Sequence, residues 1–257
     1  MPRHQTRAVV HRGHLRRLLG AAAVAVLLAA FVAFQVPDRA GAGATRCQQH
    51  RIDARERAGL VTGEGDRVLV IGDSWSVGLG QRDLTSSWPA RLPGEVHVAG
   101  FSGSGFSARA SGCGPFSFHD RAAAALTVRP DLVVVEGGLN DVDQPRAAIE
   151  RGFRDLMGDL AGQRVVVLGP AAAPRRAAYV PRVDAILAAL SAEHGVPYVA
   201  TDDLDLAYLP DSLHLTAGGH REFGDAVADR LEDVRPTRPV LDGRGHSASQ
   251  AAQESKE

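Results

Sequence analysis

This sequence has almost no net charge, two cysteines and one lysine, and the first two features exclude classes of function. The 257 residues carry 29 basic and 30 acidic side chains, so the net charge of −1 creates no overall field that would favour nucleic acid. The two cysteines, Cys47 and Cys113, have neither the spacing of a metal site nor that of a redox pair. Among the basic residues only Lys256 is a lysine. The remaining composition, 44% hydrophobic and 23% charged, is typical of a globular protein.

The first 36 residues have the charge and hydropathy of an export segment. Five arginines and no acidic residue occur in positions 1–17, and positions 18–34 are uncharged and almost wholly apolar. That apolar run is longer than the core of a usual signal peptide and slightly shorter than a usual membrane-spanning helix. Residues 1–36 therefore fit either a cleaved signal peptide or an uncleaved membrane anchor. Both place the rest of the chain outside the cytoplasm, secreted or membrane-anchored.

Beyond this segment the sequence divides into three parts. Residues 37–66 read as a linker and a polar lead-in helix, residues 67–234 as the folded domain, and residues 235–257 as a disordered tail with few apolar residues. Because an oxidising compartment permits disulfides, we predict a bond between Cys47 and Cys113 that ties the lead-in segment to a loop of the domain. Two unpaired thiols are the alternative.

Five short apolar runs predict β-strands, since nearly continuous valine-rich runs are typical of strands covered on both faces. They are Val68–Ile71, Val96–Ala99, Leu132–Glu136, Val165–Leu168 and Pro197–Ala200. Stretches at 146–162, 179–195 and 216–234 space their apolar residues three and four apart, as amphipathic helices do. Strands that alternate with helices indicate a parallel sheet. We therefore predict an α/β fold, a three-layer α/β/α sandwich with a five-stranded parallel sheet.

Small and polar residues cluster where four of these segments end. "GDSWS" follows the first strand, "GFSGSG" the second and "GGLNDVD" the third, while "DSLHL" lies a short connection beyond the fifth. In an open parallel sheet these loops share the carboxyl edge, where ligands bind. Residues far apart in the chain are therefore expected to converge there.

The converging residue types are those of acyl transfer by a serine. Ser74 is the candidate nucleophile, His214 the base that takes its proton, and Asp211 the acid that orients the base. A helix cap is the structural alternative for Ser74 and Asp73, because both residue types are favoured after a strand. For the oxyanion, donors are available from the amide of Ser74, the side chain of Asn140 and the glycine-rich second loop.

These four blocks, in this order, resemble the SGNH or GDSL hydrolase family of esterases and lipases. The resemblance covers roughly residues 67–232 and implies a flavodoxin-like fold that needs no metal or other cofactor. It implies Ser74 as nucleophile, Asp211 and His214 as its partners, and an oxyanion hole formed by Ser74, Gly103 and Asn140. The sequence departs from the family pattern at the second block, which lacks the asparagine often found before its first glycine. Gly100, Gly103 and Gly105 consequently compete for the oxyanion role, and spacing from the strand favours Gly103.

The resulting hypothesis is an extracytoplasmic serine esterase or lipase that hydrolyses acyl or acetyl esters of small molecules, glycans or lipids through an acyl-enzyme. An O-acyltransferase acting on envelope glycans would use the same residues, and a non-catalytic ligand-binding or scaffold domain is a rival from another class. "GFSGSG" does not match the G-x-G-x-x-G fingerprint of dinucleotide sites.

Several other residues receive structural interpretations. We expect His119 and Asp120 in a solvated loop, His97 in packing or at a sheet edge, and His220 facing solvent. Trp75 and Trp88 are candidates for the acyl pocket, with the core as the alternative for Trp88. Three residues after the fourth strand are candidates for substrate contact: Arg175, Arg176 and Tyr179.

Overall fold

The computed structural model describes residues 42–234, so the predicted export segment at 1–36 and the predicted tail at 235–257 lie outside the described residues. The strands are β1 (Arg67–Gly72), β2 (Glu95–Gly100), β3 (Leu132–Glu136), β4 (Val165–Leu168) and β5 (Tyr198–Val199). The helices are α1 (42–58), α2 (Ser74–Val77), α3 (Phe118–Ala125), α4 (Arg146–Asp159), α5 (Val180–Glu193) and α6 (Ala217–Val234). Short 3-10 turns cover Leu84–Ser86, Trp88–Arg91, Leu126–Val128 and Leu139–Asp141.

The five strands form one parallel sheet in the order β2-β1-β3-β4-β5. At its centre Val70 of β1 pairs with Val98 of β2 on one side and with Val134 of β3 on the other. The strand order is that of flavodoxin-like proteins, in which the chain runs outward from β1 in both directions and leaves a crevice where the order reverses. The predicted fold class is thereby confirmed, and each predicted strand is present, with β5 shorter than expected.

Alternate side chains of β1 enter two separate apolar layers. Val68 and Val70 pack on the side that α6 covers, where its core positions are Phe223, Val227 and Leu231. Leu69 and Ile71 pack on the opposite side against α3, α4 and α5. Both layers are dominated by side chains with almost no solvent exposure. This two-sided burial explains why the strands read as continuous apolar runs rather than as alternating ones.

Both tryptophans belong to the first of these layers. Trp75 and Trp88 are buried, and their rings meet Phe223 edge-on at centroid distances of 5.2 and 5.3 Å. The interpretation of Trp75 and Trp88 as acyl-pocket residues is therefore wrong. Aromatic rings bury more apolar area than other side chains, which favours the core position.

The prediction for His119 and Asp120 is also wrong, because both lie on α3. Ser117 caps this helix in a capping box: its hydroxyl accepts the N–H of Asp120, and the Asp120 carboxylate accepts the N–H of Ser117. His119 Nδ1 lies 2.5 Å from Asp159 Oδ2 on α4. The apolar positions of α3 are mostly alanine, so its amphipathic pattern is weak in the sequence.

The lead-in helix is present as α1, and a disulfide joins its Cys47 to Cys113 with a Cα–Cα distance of 5.4 Å. After α1, Thr62 makes an antiparallel bridge to Val96 of the edge strand β2. Helix α1 is therefore attached to the domain at both ends. Within residues 42–234 no helix has the length and hydrophobicity needed to cross a membrane.

Candidate active site

Ser74 is the first residue of α2, directly beyond the carboxyl end of β1. Asp73 caps this one-turn helix by accepting the N–H of Trp75 on Oδ1 at 2.8 Å. A side chain at Gly72 would collide with Ser76 Oγ at 2.0 Å, so glycine is required there for the helix to start so close to the strand. Ser74 is 7% exposed. The turn presents its hydroxyl at the sheet edge and leaves little freedom around it.

His214 and Asp211 lie on the loop before α6, where His214 contacts the Ser74 hydroxyl and Asp211 contacts His214. His214 Nε2 is 3.1 Å from Ser74 Oγ, and His214 Nδ1 is 2.6 Å from Asp211 Oδ2. A carboxylate beside Nδ1 favours the tautomer with its proton there, which leaves Nε2 free to accept the serine proton. The structure thus brings together the three residues that the sequence singled out.

Asp211 is held as an anion by hydrogen bonds. Its Oδ1 accepts the backbone N–H groups of Leu213 and His214, each at 3.0 Å, in addition to the ring contact. Partial burial by itself would raise the pKa of Asp211, but these bonds from His214 and Leu213 outweigh it and lower the pKa to about 2. The carboxylate is therefore charged at neutral pH and able to stabilise a protonated His214.

The histidine loop is tied to the serine helix by two side chains that the sequence did not reveal. The indole N–H of Trp75 donates to Leu213 O at 3.0 Å, and the amide of Gln81 donates to Leu215 O at 3.0 Å. These bonds fall on either side of His214. They fix the distance between segments that are more than 130 residues apart in the chain.

Among the three competing glycines of the second loop, Gly103 is the one with open space where a side chain would lie. Its φ of 81° lies in the left-handed region, and a Cβ built there would meet no atom within 4 Å. Gly100 and Gly105 are packed closely, against Val77 and Asp141 respectively. Within residues 42–234 the backbone N–H groups of Ser74 and Gly103 have no hydrogen-bond acceptor. Both are therefore available to a ligand.

Asn140 lies at the same edge, but its side-chain amide already has acceptors. Its Nδ2 is 3.0 Å from Asp73 Oδ2 and 2.9 Å from the carbonyl oxygen of Ser104. An amide has two N–H groups, so both are directed at the protein. The neighbouring Asp141 accepts the N–H groups of Phe106 and Ser107 at 3.0 and 2.8 Å, and burial raises its pKa to about 7. The second and third loops are thus bonded together.

A group of largely buried ionisable residues lies near Ser74, and no sequence motif indicates it. Arg121 of α3 donates to the carbonyl oxygens of Gly72 and Ala99 and to Ser104 Oγ, and burial lowers its pKa to about 10. It therefore bonds the ends of β1 and β2 together. An arginine on a helix of small residues has no distinctive sequence signal.

Glu136, the last residue of β3, is the acidic member of this group. Its Oε2 accepts the hydroxyl of Ser76 at 2.6 Å. Burial, reinforced by the nearby charge of Asp73, raises the pKa of Glu136 well above its ordinary value. Burial likewise raises the pKa of Asp73 to about 6, partly opposed by the N–H of Trp75. Burial thus makes both carboxyl groups hold a proton at higher pH than they would in water.

Other candidate residues lie away from the three-residue line. His220 does not face solvent as predicted: it is 1% exposed, and its Nδ1 accepts the N–H of Trp88 at 3.3 Å. Burial lowers the pKa of His220 to about 4. His97 lies on the edge strand, 2.7 Å from Glu95 Oε1. The sequence missed the burial of His220 because Gly218 and Gly219 obscure the apolar face at the start of α6.

The residues after β4 support the site from outside. The Arg176 guanidinium donates to Leu139 O, next to Asn140, and the N–H of Arg175 donates to Ser212 O, within the histidine loop. Tyr179 is 58% exposed. No cluster of three or more metal-binding side chains occurs in the part of the chain that the structure describes.

Comparison with known proteins agrees with this arrangement. The model of the GDSL-like Lipase/Acylhydrolase family matches residues 70–222, more than half of the chain. Similar solved structures include the aryl esterase of M. smegmatis, with 18% identity and a TM-score of 0.55, covering 66% of this chain and 100% of the esterase. Est24, a carbohydrate acetylesterase from Sinorhizobium meliloti, has 20% identity and a TM-score of 0.55, covering 66% of this chain and 99% of Est24.

Among curated proteins, none matches the sequence significantly. Likeness at such low identity to the solved structures establishes the shared fold, whereas the family match extends through the segments that contain Ser74, Gly103, Asn140, Asp211 and His214. The chain belongs to the GDSL-like lipase/acylhydrolase family and is a carboxylic ester hydrolase.

Proposed function

We propose that this protein is an extracytoplasmic serine esterase that cleaves acetyl or other short acyl esters through a covalent acyl-enzyme. The observation that carries the proposal is the line from Ser74 Oγ to His214 Nε2, 3.1 Å, and from His214 Nδ1 to Asp211 Oδ2, 2.6 Å. A hydroxyl, an imidazole and a carboxylate at these separations form the proton path of a serine hydrolase.

In the first step Ser74 Oγ attacks the carbonyl carbon of the ester, and its proton passes to His214 Nε2. Asp211 remains ionised and stabilises the resulting imidazolium, as its lowered pKa allows. The protonated His214 then gives its proton to the departing alcohol oxygen, and the acyl group stays on Ser74. Water attacks the acyl-enzyme by the same route, with His214 as base, and releases the carboxylic acid.

The developing oxyanion is stabilised by N–H groups of the serine helix and the second loop. The amides of Ser74 and Gly103 have no acceptor within residues 42–234, and Gly103 faces open space. Asn140 would serve as a third donor by exchanging its bond to the Ser104 carbonyl or to Asp73 for one to the oxyanion. Preorganised donors of this kind each contribute on the order of 3 kcal/mol to lowering the barrier.

Two features support an extracytoplasmic location. The basic and apolar character of residues 1–36 is that of an export segment, cleaved or retained as an anchor. The disulfide between Cys47 and Cys113 is of a kind that persists in oxidising compartments and is rare in the cytosol. Mass spectrometry of alkylated exported protein tests this: two free thiols would contradict it.

The preference for a short acyl group is supported by the similarity in fold to Est24, a carbohydrate acetylesterase. It is tested with nitrophenyl esters of two to twelve carbons and with acetylated sugars. We expect kcat/KM to be highest for acetyl or butyryl esters and to fall with longer chains. A maximum at ten or twelve carbons would contradict the short-chain proposal while leaving the esterase intact.

The triad is tested by labelling the protein with a fluorophosphonate and locating the adduct by peptide mapping. We expect one adduct, on Ser74, and its loss in the Ser74→Ala and His214→Ala variants. Ser76→Ala is the matched control, because Ser76 lies one position beyond Trp75 but bonds to Glu136 and not to His214. A folded protein that takes up no label and cleaves no ester would overturn the proposal.

A further inference from the structure

A cleft of about 570 Å³ lies outside the candidate active site, between α1, the edge strand β2 and α3. Ser74, Asp211 and His214 do not line it. Its volume falls within the range of small-molecule sites, which is about 300–1,000 Å³. The ester hydrolase function assigns no role to this space.

The cleft exists because small side chains face each other across it. Ala54 and Ala58 lie one turn apart on α1, and Ala124 and Ala125 lie at the end of α3. Residues four apart share a helix face, so the two α1 alanines leave a continuous gap along that helix. Larger apolar side chains at these positions would fill the space and cover Leu69 of β1.

The floor of the cleft is apolar and rigid. It includes Leu69 and Ala99 from the sheet and the rings of Phe101 and Phe116, which stack face to face at 4.0 Å. The covering helix α1 is attached to the domain by the disulfide near its start and by the Thr62 bridge after its end. A ligand entering this space would therefore meet a preformed apolar surface, which lowers the entropic cost of binding.

All ionisable groups that line the cleft are basic. They are Arg51 and Arg55 of α1, Arg121 of α3, and His97, and no carboxylate lines it. Arg121 already donates hydrogen bonds to the carbonyl oxygens of Gly72 and Ala99 at the ends of β1 and β2. Arg51 contacts Cys113 O at 3.4 Å and the Phe116 ring at 5.3 Å. Within residues 42–234 the exposed side chain of Arg55 has no hydrogen bond or ion pair. One guanidinium at the mouth is therefore available to an anion.

We propose that this cleft binds a long-chain carboxylate, a fatty acid, with its chain against the apolar floor and its head at Arg55 and Arg51. An apolar cavity with a basic mouth matches a ligand that is apolar along its length and anionic at one end. The planar guanidinium suits the carboxylate, since it offers two parallel N–H donors to the two oxygens. The site is separate from the triad, so this inference does not depend on the proposed function.

Calorimetric titration of the purified full chain with dodecanoate, below its micelle-forming concentration, tests the proposal. We expect saturable binding at a ratio of one. Dodecyltrimethylammonium, with the same chain and the opposite charge, should bind at least about tenfold more weakly because it faces arginines. Anionic phospholipid vesicles form a second arm that distinguishes a free fatty acid from a membrane surface.

Two kinds of variant locate the binding. Ala54→Leu and Ala125→Leu fill the cleft and should weaken dodecanoate binding about tenfold or more, whereas Ala147→Leu on the exposed face of α4 should not. Arg55→Gln should weaken it about threefold to tenfold, and Arg151→Gln, also exposed on α4, should leave it unchanged. Arg55 is on the surface, so its replacement leaves the fold intact and keeps the test decisive if a leucine variant unfolds.

Three results would overturn the proposal. One is the absence of saturable dodecanoate binding to the wild-type chain. Another is binding that neither Arg55→Gln nor the cleft-filling variants weaken, since the fatty acid would then bind elsewhere, for example on the apolar N-terminal segment. The third is attachment to anionic vesicles without binding of free dodecanoate, which would indicate a membrane-contact surface.

Discussion

Two aspartates lie around the proposed nucleophile Ser74, and their surroundings shift their pKa values in opposite directions: Asp73 precedes Ser74 in the chain, and Asp211 is joined to it through His214. Asp211 lies on a surface loop with its side chain 38% exposed, and hydrogen bonds from His214 and Leu213 outweigh partial burial and bring its pKa to about 2. Asp73 is 1% exposed above the end of β1, and burial raises its pKa to about 6 although it accepts the N–H of Trp75. The same kind of side chain thus has its pKa lowered by hydrogen bonds at one position and raised by burial at the other.

This difference shows how charge is distributed around the nucleophile. A fixed negative charge is useful beside His214, which becomes positive during the reaction, and harmful beside the oxyanion, which becomes negative. The exposed loop supplies the first through hydrogen bonds, and the buried side limits the second through desolvation. In our interpretation, Asp211 acts electrostatically and Asp73 acts by positioning the serine turn and Asn140.

Asp211→Asn removes the charge on the exposed side and should have the largest effect. We expect kcat to fall about 10³- to 10⁴-fold with KM little changed, because the amide cannot stabilise the imidazolium and favours the wrong tautomer. Steady-state kinetics on nitrophenyl acetate measure it. Asp203→Asn is the control, since Asp203, on the loop after β5, pairs with Arg230 of α6 and lies outside the proposed triad. A drop of less than about tenfold for Asp211→Asn would contradict the electrostatic role.

Asp73→Asn probes the buried side and should have a smaller effect on kcat, about tenfold to a hundredfold. Its carboxylate holds both the serine turn and the Asn140 amide, and an asparagine would offer one acceptor oxygen in place of two. Steady-state kinetics on nitrophenyl acetate at pH 8, above the raised pKa of Asp73 of about 6, measure the loss with the wild-type Asp73 ionised.

Asp83→Asn is a matched control for this experiment. Asp83 caps a 3-10 turn by accepting the N–H of Thr85 at 2.9 Å, as Asp73 accepts that of Trp75. Unlike Asp73, it is exposed and makes no contact with Ser74, Asn140 or His214 in the described residues. We expect Asp83→Asn to cost some stability and leave kcat unchanged. Equal kinetic losses in both variants would show that helix capping alone explains the effect of Asp73.

The residues of the proposed active site could be predicted from the sequence, whereas most of the buried ionisable residues near Ser74 could not. Ser74, Asn140 and His214 occur in short motifs that each follow a strand, and the topology of a parallel sheet brings such loops to one edge. The hydrogen bonds of Arg121 and the raised pKa of Glu136 depend instead on which atoms surround these residues after folding. A sequence pattern records that Glu136 ends an apolar run, but burial and the distance to Ser76 determine its pKa.

The comparison extends to two histidines, His214 at the surface and His220 in the core. Burial lowers the pKa of His220 to about 4. Between pH 6.5 and pH 4, His220 is therefore protonated in the unfolded chain and still neutral in the folded chain. This stability contribution is complete above pH 6.5 and is lost as the pH falls. We expect a loss of about 2–3 kcal/mol in the free energy of unfolding.

His220→Gln should remove this acid dependence, and urea unfolding at pH 4.5, 5.5, 6.5 and 7.5 measures it. The variant is expected to be less stable than wild type at pH 7.5, since the Trp88 contact is altered, and to approach it toward pH 4.5. His194→Gln, on an exposed position after α5, should run parallel to wild type. Parallel curves for His220→Gln and wild type would show that His220 is protonated alike in both states.

Glu136→Gln tests the buried carboxyl group itself and should have the smallest effect. A raised pKa means that the folded chain binds a proton which the unfolded chain has already released, so stability declines as the pH rises above the ordinary glutamate range. Glutamine keeps an acceptor for Ser76 Oγ and cannot ionise. The variant should therefore gain free energy of unfolding relative to wild type as the pH rises from 5 to 9, which urea unfolding across that range measures. The exposed Glu232→Gln change should give no such gain. If Glu136→Gln and wild type lost stability equally with rising pH, Glu136 would not cause that loss. The pH dependence would then come from the other buried carboxyl groups, Asp73 and Asp141.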